Sequence, residues 1–166
     1  MIRLIRRGEG RQLRAIRLRA LADIPEAFGQ TLEQASAISE DEYEMRACAE
    51  AEGDERVSLI AESVQDGWVG MVAGRNEGDR IELISMWVAP THRRRGIGQA
   101  LIVALLAWAR SKPAREVYLF VGERNAPAKA LYSSVGFVPS GRSEPLAWNS
   151  AINEIEMICS LPVDAE

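Results

Sequence analysis

The chain has 166 residues, 47% of them apolar and 27% charged, with 20 basic side chains against 24 acidic ones and a net charge of −4. That length suits one domain over residues 1–166 with a sizeable core, and the acidic balance argues against a nucleic-acid partner. No apolar run reaches the ~20 residues of a membrane span and the N-terminus lacks the apolar stretch of a signal peptide, so the expectation is a cytoplasmic protein with no membrane partner.

Ile2 to Arg6 is short and β-prone. From Glu9 to Ala22 the apolar residues Leu13, Ile16, Ala20 and Leu21 recur at i, i+3, i+7 and i+8, one face of an amphipathic helix. Pro25 and Gly29 then mark a loop that carries Phe28, an aromatic that either plugs the core or lines a pocket. Ser39-Glu40-Asp41-Glu42 reads as a capping box opening a second helix to about Glu52. Val57, Leu59 and Ala61 alternate as in a strand, Asp66-Gly67 signals a hairpin, and Trp68 to Ala73 returns. After a turn at 76–79, Ile81 to Ala89 completes a meander.

A strongly apolar helix is expected from about Gln99 to Arg110 and a strand from Glu116 to Val121, apolar enough to be buried on both faces. Asn125-Ala126-Pro127 opens a short helix that Gly136 ends. Phe137 to Ser140 reads as a short strand and Gly141 to Ala151 as a longer loop carrying Arg142, Glu144 and Trp148. A last strand places Ile155, Met157, Cys159 and Leu161 on one face. The two cysteines, Cys48 and Cys159, read as free thiols, and the single histidine, His92, leaves too few ligands for a metal.

Charge is unevenly spread. Arg3 to Arg19 holds seven arginines and one acid, whereas Asp23 to Glu55 holds eleven acids and one base, Arg46. Two solvated helix faces account for this; the sharper alternative is an acidic rim that attracts a cationic acceptor.

The chemically pointed stretch is Trp87-Val-Ala-Pro-Thr-His-Arg-Arg-Arg-Gly-Ile-Gly98. A strand turning through glycines into a helix N-terminus offers unpaired amides and a favourable dipole to an anion, and arginines add charged donors. The third glycine of a dinucleotide fingerprint and the Gly-Lys-Ser/Thr of a phosphate-binding P-loop are both missing. The loop alone therefore implies only a phosphate or pyrophosphate site.

A second motif narrows it. Val88-Ala-Pro-x-x-Arg93-x-x-Gly96-x-Gly98 is followed, after a helix and a strand, by Asn125-x-x-Ala128-x-x-Leu131-Tyr132-x-x-x-Gly136-Phe137. This pair resembles the GCN5-related N-acetyltransferase (GNAT) family over nearly the whole chain. The resemblance implies an α/β (mixed α+β) fold, a mostly antiparallel sheet of about seven strands with helices on both faces and a splay between the fourth and fifth strands. It implies acetyl-CoA as co-substrate without a metal, direct acetyl transfer to a primary amine in a ternary complex, and frequent homodimers, with the last strand a place for exchange.

Residue by residue, the resemblance puts the pyrophosphate on the amides from Arg94 to Gln99, with Arg93, Arg95, Gly96, Ile97, Gly98 and Ala100 around it. It lays the pantetheine arm along Met86, Trp87 and Val88, with the Val88 N–H as oxyanion donor. Asn125 and Lys129 would reach the cofactor; an N-cap explains Asn125 equally well, and a solvated lysine explains Lys129 better. Tyr132 would protonate the leaving thiolate. Glu82, 14 residues before Gly96, is either the general base or an exposed strand residue; Ser85, Glu123 and Glu156 are lesser candidates. His92 reads as a solvent-facing turn residue. The loops around Phe28 and Trp148 are loosely similar to acceptor-side loops of phosphinothricin-type enzymes, which favours a small-molecule amine. Alternatives are a protein N-terminus or lysine as acceptor, or a coenzyme A-binding sensor without catalysis.

Overall fold

The computed structural model describes residues 1–162. In chain order the elements are β1 (Ile2–Leu4), α1 (Gly10–Asp23), a 3-10 turn (Pro25–Ala27), α2 (Leu32–Ser36), α3 (Glu40–Glu52), β2 (Arg56–Ser63), β3 (Gly67–Asn76), β4 (Arg80–Val88), α4 (Ile97–Arg110), β5 (Glu116–Gly122), α5 (Ala126–Ser134), β6 (Val138–Leu146) and β7 (Asn149–Ser160). One seven-stranded sheet has the order β1-β2-β3-β4-β5-β7-β6. Every pairing is antiparallel except β4 with β5, so the expected mixed architecture is present. No helix among the described residues is long and apolar enough to cross a membrane.

The apolar spacing does what it promised. Leu13, Ile16, Ala20 and Leu21 are the buried face of α1, and α4 buries Leu101, Ile102, Leu105, Leu106 and Ala109. Helix α4 covers one face of the sheet. It lies close because β3 presents Gly70 and Gly74 beneath it: a Cβ on Gly74 would stand 2.8 Å from the Trp108 ring. The Trp108 indole N–H is fixed on the Gly53 carbonyl at 2.8 Å. Helices α1 and α3 cover the other face, where Ser58 of β2 donates to Glu50 of α3 at 2.6 Å.

Four expectations change. Leu32–Ser36 is a helix, closed by a full capping box between Thr31 and Gln34. At Ser39 only half of that motif forms: its hydroxyl accepts from the Glu42 amide at 3.1 Å, while the Glu42 carboxylate pairs with Arg46. The expected loop over 141–151 is most of β6 plus a tight turn into β7. Strand β6 is an edge whose residues are exposed except Leu146; edges tolerate Pro139, Pro145 and a kink at Gly141 that a central strand would not. Finally, β7 is paired on both sides, by β5 and β6, so the free edge at this end of the sheet belongs to β6 and not to the last strand.

Candidate active site

Strands β4 and β5 pair in parallel only at Arg80–Glu116, Ile81–Val117 and Glu82–Tyr118. Beyond these the strands part, although β4 runs on to Val88 and β5 to Gly122. A bulge re-aims β4 at this point. The register with β3 shifts between Met71 and Ala73, and Ser85 has a positive φ of 55°, a conformation that costs a non-glycine residue of order 1–3 kcal/mol and persists only where neighbours enforce it. Arg17 of α1 supplies part of that enforcement, donating to the Ser85 hydroxyl at 2.6 Å.

The splay frees a strand edge. The Ala89 amide donates to the Val69 carbonyl of β3 at 2.8 Å. Because strand amides alternate in direction, the Val88 N–H faces the opposite edge, where β5 has withdrawn. The Val88 carbonyl accepts from Arg93 Nε at 2.9 Å.

Helix α4 begins two residues earlier than the sequence suggested, at Ile97, with Gly96 as its N-cap at φ 78°. Arg94 also adopts a left-handed φ of 59°. The first helical hydrogen bond runs from the Ala100 amide to the Gly96 carbonyl at 3.0 Å. The amides of Ile97, Gly98 and Gln99 are therefore the unpaired ones, and Ala100 drops out as an amide donor. Gly98 is required by packing: a Cβ there would lie 3.0 Å from Leu131 and 3.2 Å from Met86.

A cleft of about 950 Å³ joins these parts, a volume suited to a sizeable ligand. Met86, Trp87, Val88, Arg93, Arg94, Gly96, Ile97, Gly98, Gln99, Asn125 and Tyr132 border it, as do Phe28 and Glu82. Arg95, Ala100 and Lys129 do not; the Lys129 ammonium is turned onto the Glu123 carbonyl at 2.5 Å. Asn125 caps α5, its Oδ1 accepting from the Ala128 amide at 3.2 Å, and its carboxamide NH2 remains available.

Arg93 is a strut as well as a charge. Besides holding Val88, it pairs with Asp23 at the end of α1, and Asp23 also accepts from the Trp87 indole N–H at 2.9 Å. Burial pushes the Asp23 carboxyl up, but the hydrogen bonds from Trp87 and Arg93 win, and it titrates below its ordinary value. The Trp87 ring is buried, with the Arg19 guanidinium over its face. His92 also departs from expectation: it borders the cleft, is largely buried, and contacts Asp66 at 3.1 Å.

Tyr132 is 7% exposed and stacks edge-on against Phe137 at 5.8 Å. Its hydroxyl has no hydrogen-bond partner in α5 or its surroundings among the described residues, and burial pushes its pKa up. Phe28 is buried, and its carbonyl accepts from the Trp148 indole at 2.7 Å. Trp148 thus does not line the cleft; it clasps the β6–β7 turn, with Leu146 and Ala147, over the Phe28 end of the cleft.

The carboxylates sort differently from the sequence reading. Glu82 borders the cleft but is ion-paired with Arg75, its cross-strand neighbour. Glu156 is buried against Arg80 at 3.1 Å, away from the cleft, and Glu123 accepts from Asn153. Glu154 of β7, which no motif marked, borders the cleft opposite Glu144 of β6. It has no ion-pair partner among the described residues; burial first, then the neighbouring Glu144 and Glu82 charges, push its carboxyl above the ordinary range. Only the alternation of the final hairpin could have indicated it. Among the described residues no group of three acidic, His or Cys side chains is arranged to hold a metal.

Solved structures share this arrangement. A GNAT-family acetyltransferase from Streptococcus pneumoniae superposes with a TM-score of 0.83 at 20% identity, covering 98% of this chain and 99% of that one. A spermidine N-acetyltransferase from Vibrio cholerae, crystallised with CoA and spermine, gives 0.75 at 21% identity over 96% and 94%. In sequence, human N-acetyltransferase 8 is 35% identical over 111 residues, 62% of this chain and 48% of that protein. The chain spans less than half the length of the curated relatives it matches. The profile described as "Acetyltransferase (GNAT) family" matches residues 19–137, from the end of α1 through the phosphate-type loop to Phe137, and the chain therefore belongs to the GNAT acetyltransferase family.

Proposed function

We propose that the protein transfers an acetyl group from acetyl-CoA to the primary amine of a small molecule, by direct attack in a ternary complex. The observation that carries this reading is the splay itself: a free β4 edge at Val88 opens into one cleft with the α4 amides and the Tyr132 hydroxyl. The cleft suits acetyl-CoA. The amides of Ile97, Gly98 and Gln99, with Arg94, fit its pyrophosphate; the Met86–Val88 edge and the Asn125 carboxamide fit its amide-bearing arm. When bound, acetyl-CoA supplies an activated acetyl thioester.

The protein's own groups then divide the work. The Val88 N–H donates where negative charge develops on the acyl oxygen. Tyr132 holds a proton at its hydroxyl, kept there by burial, for the departing sulfur. Glu154, with a raised pKa and no counter-charge, accepts the proton of the incoming ammonium; Glu82, already paired with Arg75, is the weaker candidate. Arg93 positions Val88 through its carbonyl. The Phe28–Trp148 clasp closes the acceptor end, which favours a small molecule over an extended peptide.

Calorimetric titration with coenzyme A and a thiol-release assay over amines, amino acids and peptides test the reading together. Micromolar binding and turnover with a small amine are expected. Absence of coenzyme A binding would sink it, and turnover confined to peptides would move the acceptor to proteins. A cytoplasmic homodimer belongs to the same proposal; the outer edge of β6 is the surface available for pairing, and sedimentation velocity reads the association.

A further inference from the structure

One part-buried charge has no acid beside it. Arg17 leaves the sheet-facing side of α1 and donates to Ser85 at 2.6 Å and to Gln30 Oε1 at 3.0 Å. Its Nε is buried and has no hydrogen-bond partner among the described residues. Other inward-turned arginines carry acids: Arg3 has Glu9 and Glu62, Arg75 has Glu82, Arg80 has Glu116 and Glu156, and Arg93 has Asp23. Arg17 pairs with no carboxylate of the described residues. Burial holds its pKa below the ordinary arginine value, although Tyr43 and Glu50 act in the other direction. A guanidinium removed from water without a counter-ion is costly, and its donors are oriented for a planar two-oxygen acceptor.

The surroundings do not supply that acceptor. On one side Arg17 borders a cavity of about 110 Å³ between α1, α3 and the sheet, where Arg17, Arg46 and Arg56 meet a single acid, Glu50. The Glu50 carboxylate already accepts from Ser58. On the other side Arg17, Gln30 and Ser85 all border the main cleft, as does Glu154. The cleft therefore has a cationic wall at α1 and the β4 bulge, and an anionic wall at β7.

We propose that Arg17, with Gln30 and Ser85, is the subsite for a carboxylate on the acceptor, so that the amine acetylated is that of an amino acid. This rests on the acetyl-transfer reading and deepens it. An amino acid presents one ammonium and one carboxylate, matching Glu154 and Arg17. A polyamine would leave Arg17 without a counter-charge, and a peptide N-terminus carries an amide where the carboxylate would be.

The test uses matched acceptors with acetyl-CoA: an amino acid, its carboxamide, its decarboxylated amine and a polyamine, each with the wild-type protein, Arg17→Met and Arg17→Lys. The wild type should favour the amino acid over its decarboxylated amine on the order of ten- to a hundredfold in kcat/KM, the scale of a charge-assisted pair. Arg17→Met should erase that preference: kcat/KM for the amino acid should fall on the order of ten- to a hundredfold further than kcat/KM for the decarboxylated amine, chiefly through KM for the amino acid. Arg17→Lys should recover part of it. Equal wild-type use of amino acids and decarboxylated amines or polyamines overturns the carboxylate subsite and leaves acetyl transfer standing. So does an Arg17→Met variant that weakens every acceptor alike, which marks a purely structural arginine. No turnover with any acceptor overturns both readings.

Discussion

Tyr132→Phe separates chemistry from packing more cleanly than any other change in this cleft. The hydroxyl has no protein partner among the described residues, so its removal orphans no donor or acceptor. The ring keeps its edge-on contact with Phe137 at 5.8 Å and its burial at 7% exposure. Stability should therefore hold within about 0.5 kcal/mol. If the hydroxyl delivers the proton to the departing sulfur, turnover should fall on the order of 10²-fold, the low end for general acids because a thiolate leaves readily. That is about 2.7 kcal/mol of activation free energy, with little change in KM for acetyl-CoA. Burial raises the Tyr132 pKa, and the sign follows. The folded state favours the neutral phenol, a contribution present below the ordinary tyrosine pKa of ~10 and lost only as pH rises beyond it. Neither activity nor stability should titrate through Tyr132 at neutral pH. Thiol release at saturating substrates, alongside urea denaturation, measures both quantities. Unchanged turnover would remove Tyr132 from the mechanism, and a stability loss above about 1 kcal/mol would show that its hydroxyl is structural.

Three further outcomes follow from the same geometry. The kcat/KM for the amine should rise with pH through a Glu154 ionisation lying above the ordinary carboxylate range, and Glu154→Gln should abolish that limb and lower kcat/KM on the order of 10²-fold; a limb that survives the substitution excludes Glu154 as base. Trp148→Phe removes the bond to the Phe28 carbonyl and should raise KM for the amine about three- to tenfold while leaving KM for acetyl-CoA unchanged, whereas equal shifts in both would place the clasp elsewhere in function. Asp23→Asn should cost ~1 kcal/mol at neutral pH, and because the Asp23 pKa is lowered on folding, the difference from wild type should shrink as pH falls through the carboxylate range; a pH-independent difference in urea midpoints would refute the Asp23 anchor.

Fold elements were legible wherever burial imposed a period. The stripe of α1, the apolar run of α4 and the alternation of β2 each report a core face, and the core is where selection of residue type is tightest physically. Helix α2 escaped because five residues give no period, yet Thr31 and Gln34 spelled its capping box. Strand β6 escaped because it buries almost nothing: an exposed edge with two prolines and a left-handed Gly141 carries the composition of a loop. The start of α4 was misplaced by two residues because Gly96, with φ 78°, acts as the cap and Gly98 lies inside the helix, where Leu131 and Met86 leave no room for a Cβ.

For the site, what was legible was backbone chemistry, and what was hidden was charge pairing. A glycine-rich turn into a helix announces unpaired amides in one dimension. Whether an acid is a base or a strut depends on what stands opposite. Glu82 stood at a suggestive distance from Gly96, but the turn at 76–79 folds Arg75 directly across from it, so its charge is answered locally. Arg93 looked like a phosphate ligand until α1 brought Asp23, 70 residues away in sequence, into contact. Once Arg75, Arg80, Arg93 and Arg3 are matched with their acids, the cleft-lining charges without an ion-pair partner among the described residues are Arg94 before α4, Glu144 on β6 and, facing one another, Arg17 on the α1 wall and Glu154 on the β7 wall. A folded chain does not leave opposite charges unpaired across a cleft without cost, and a zwitterionic acceptor lying between them answers both.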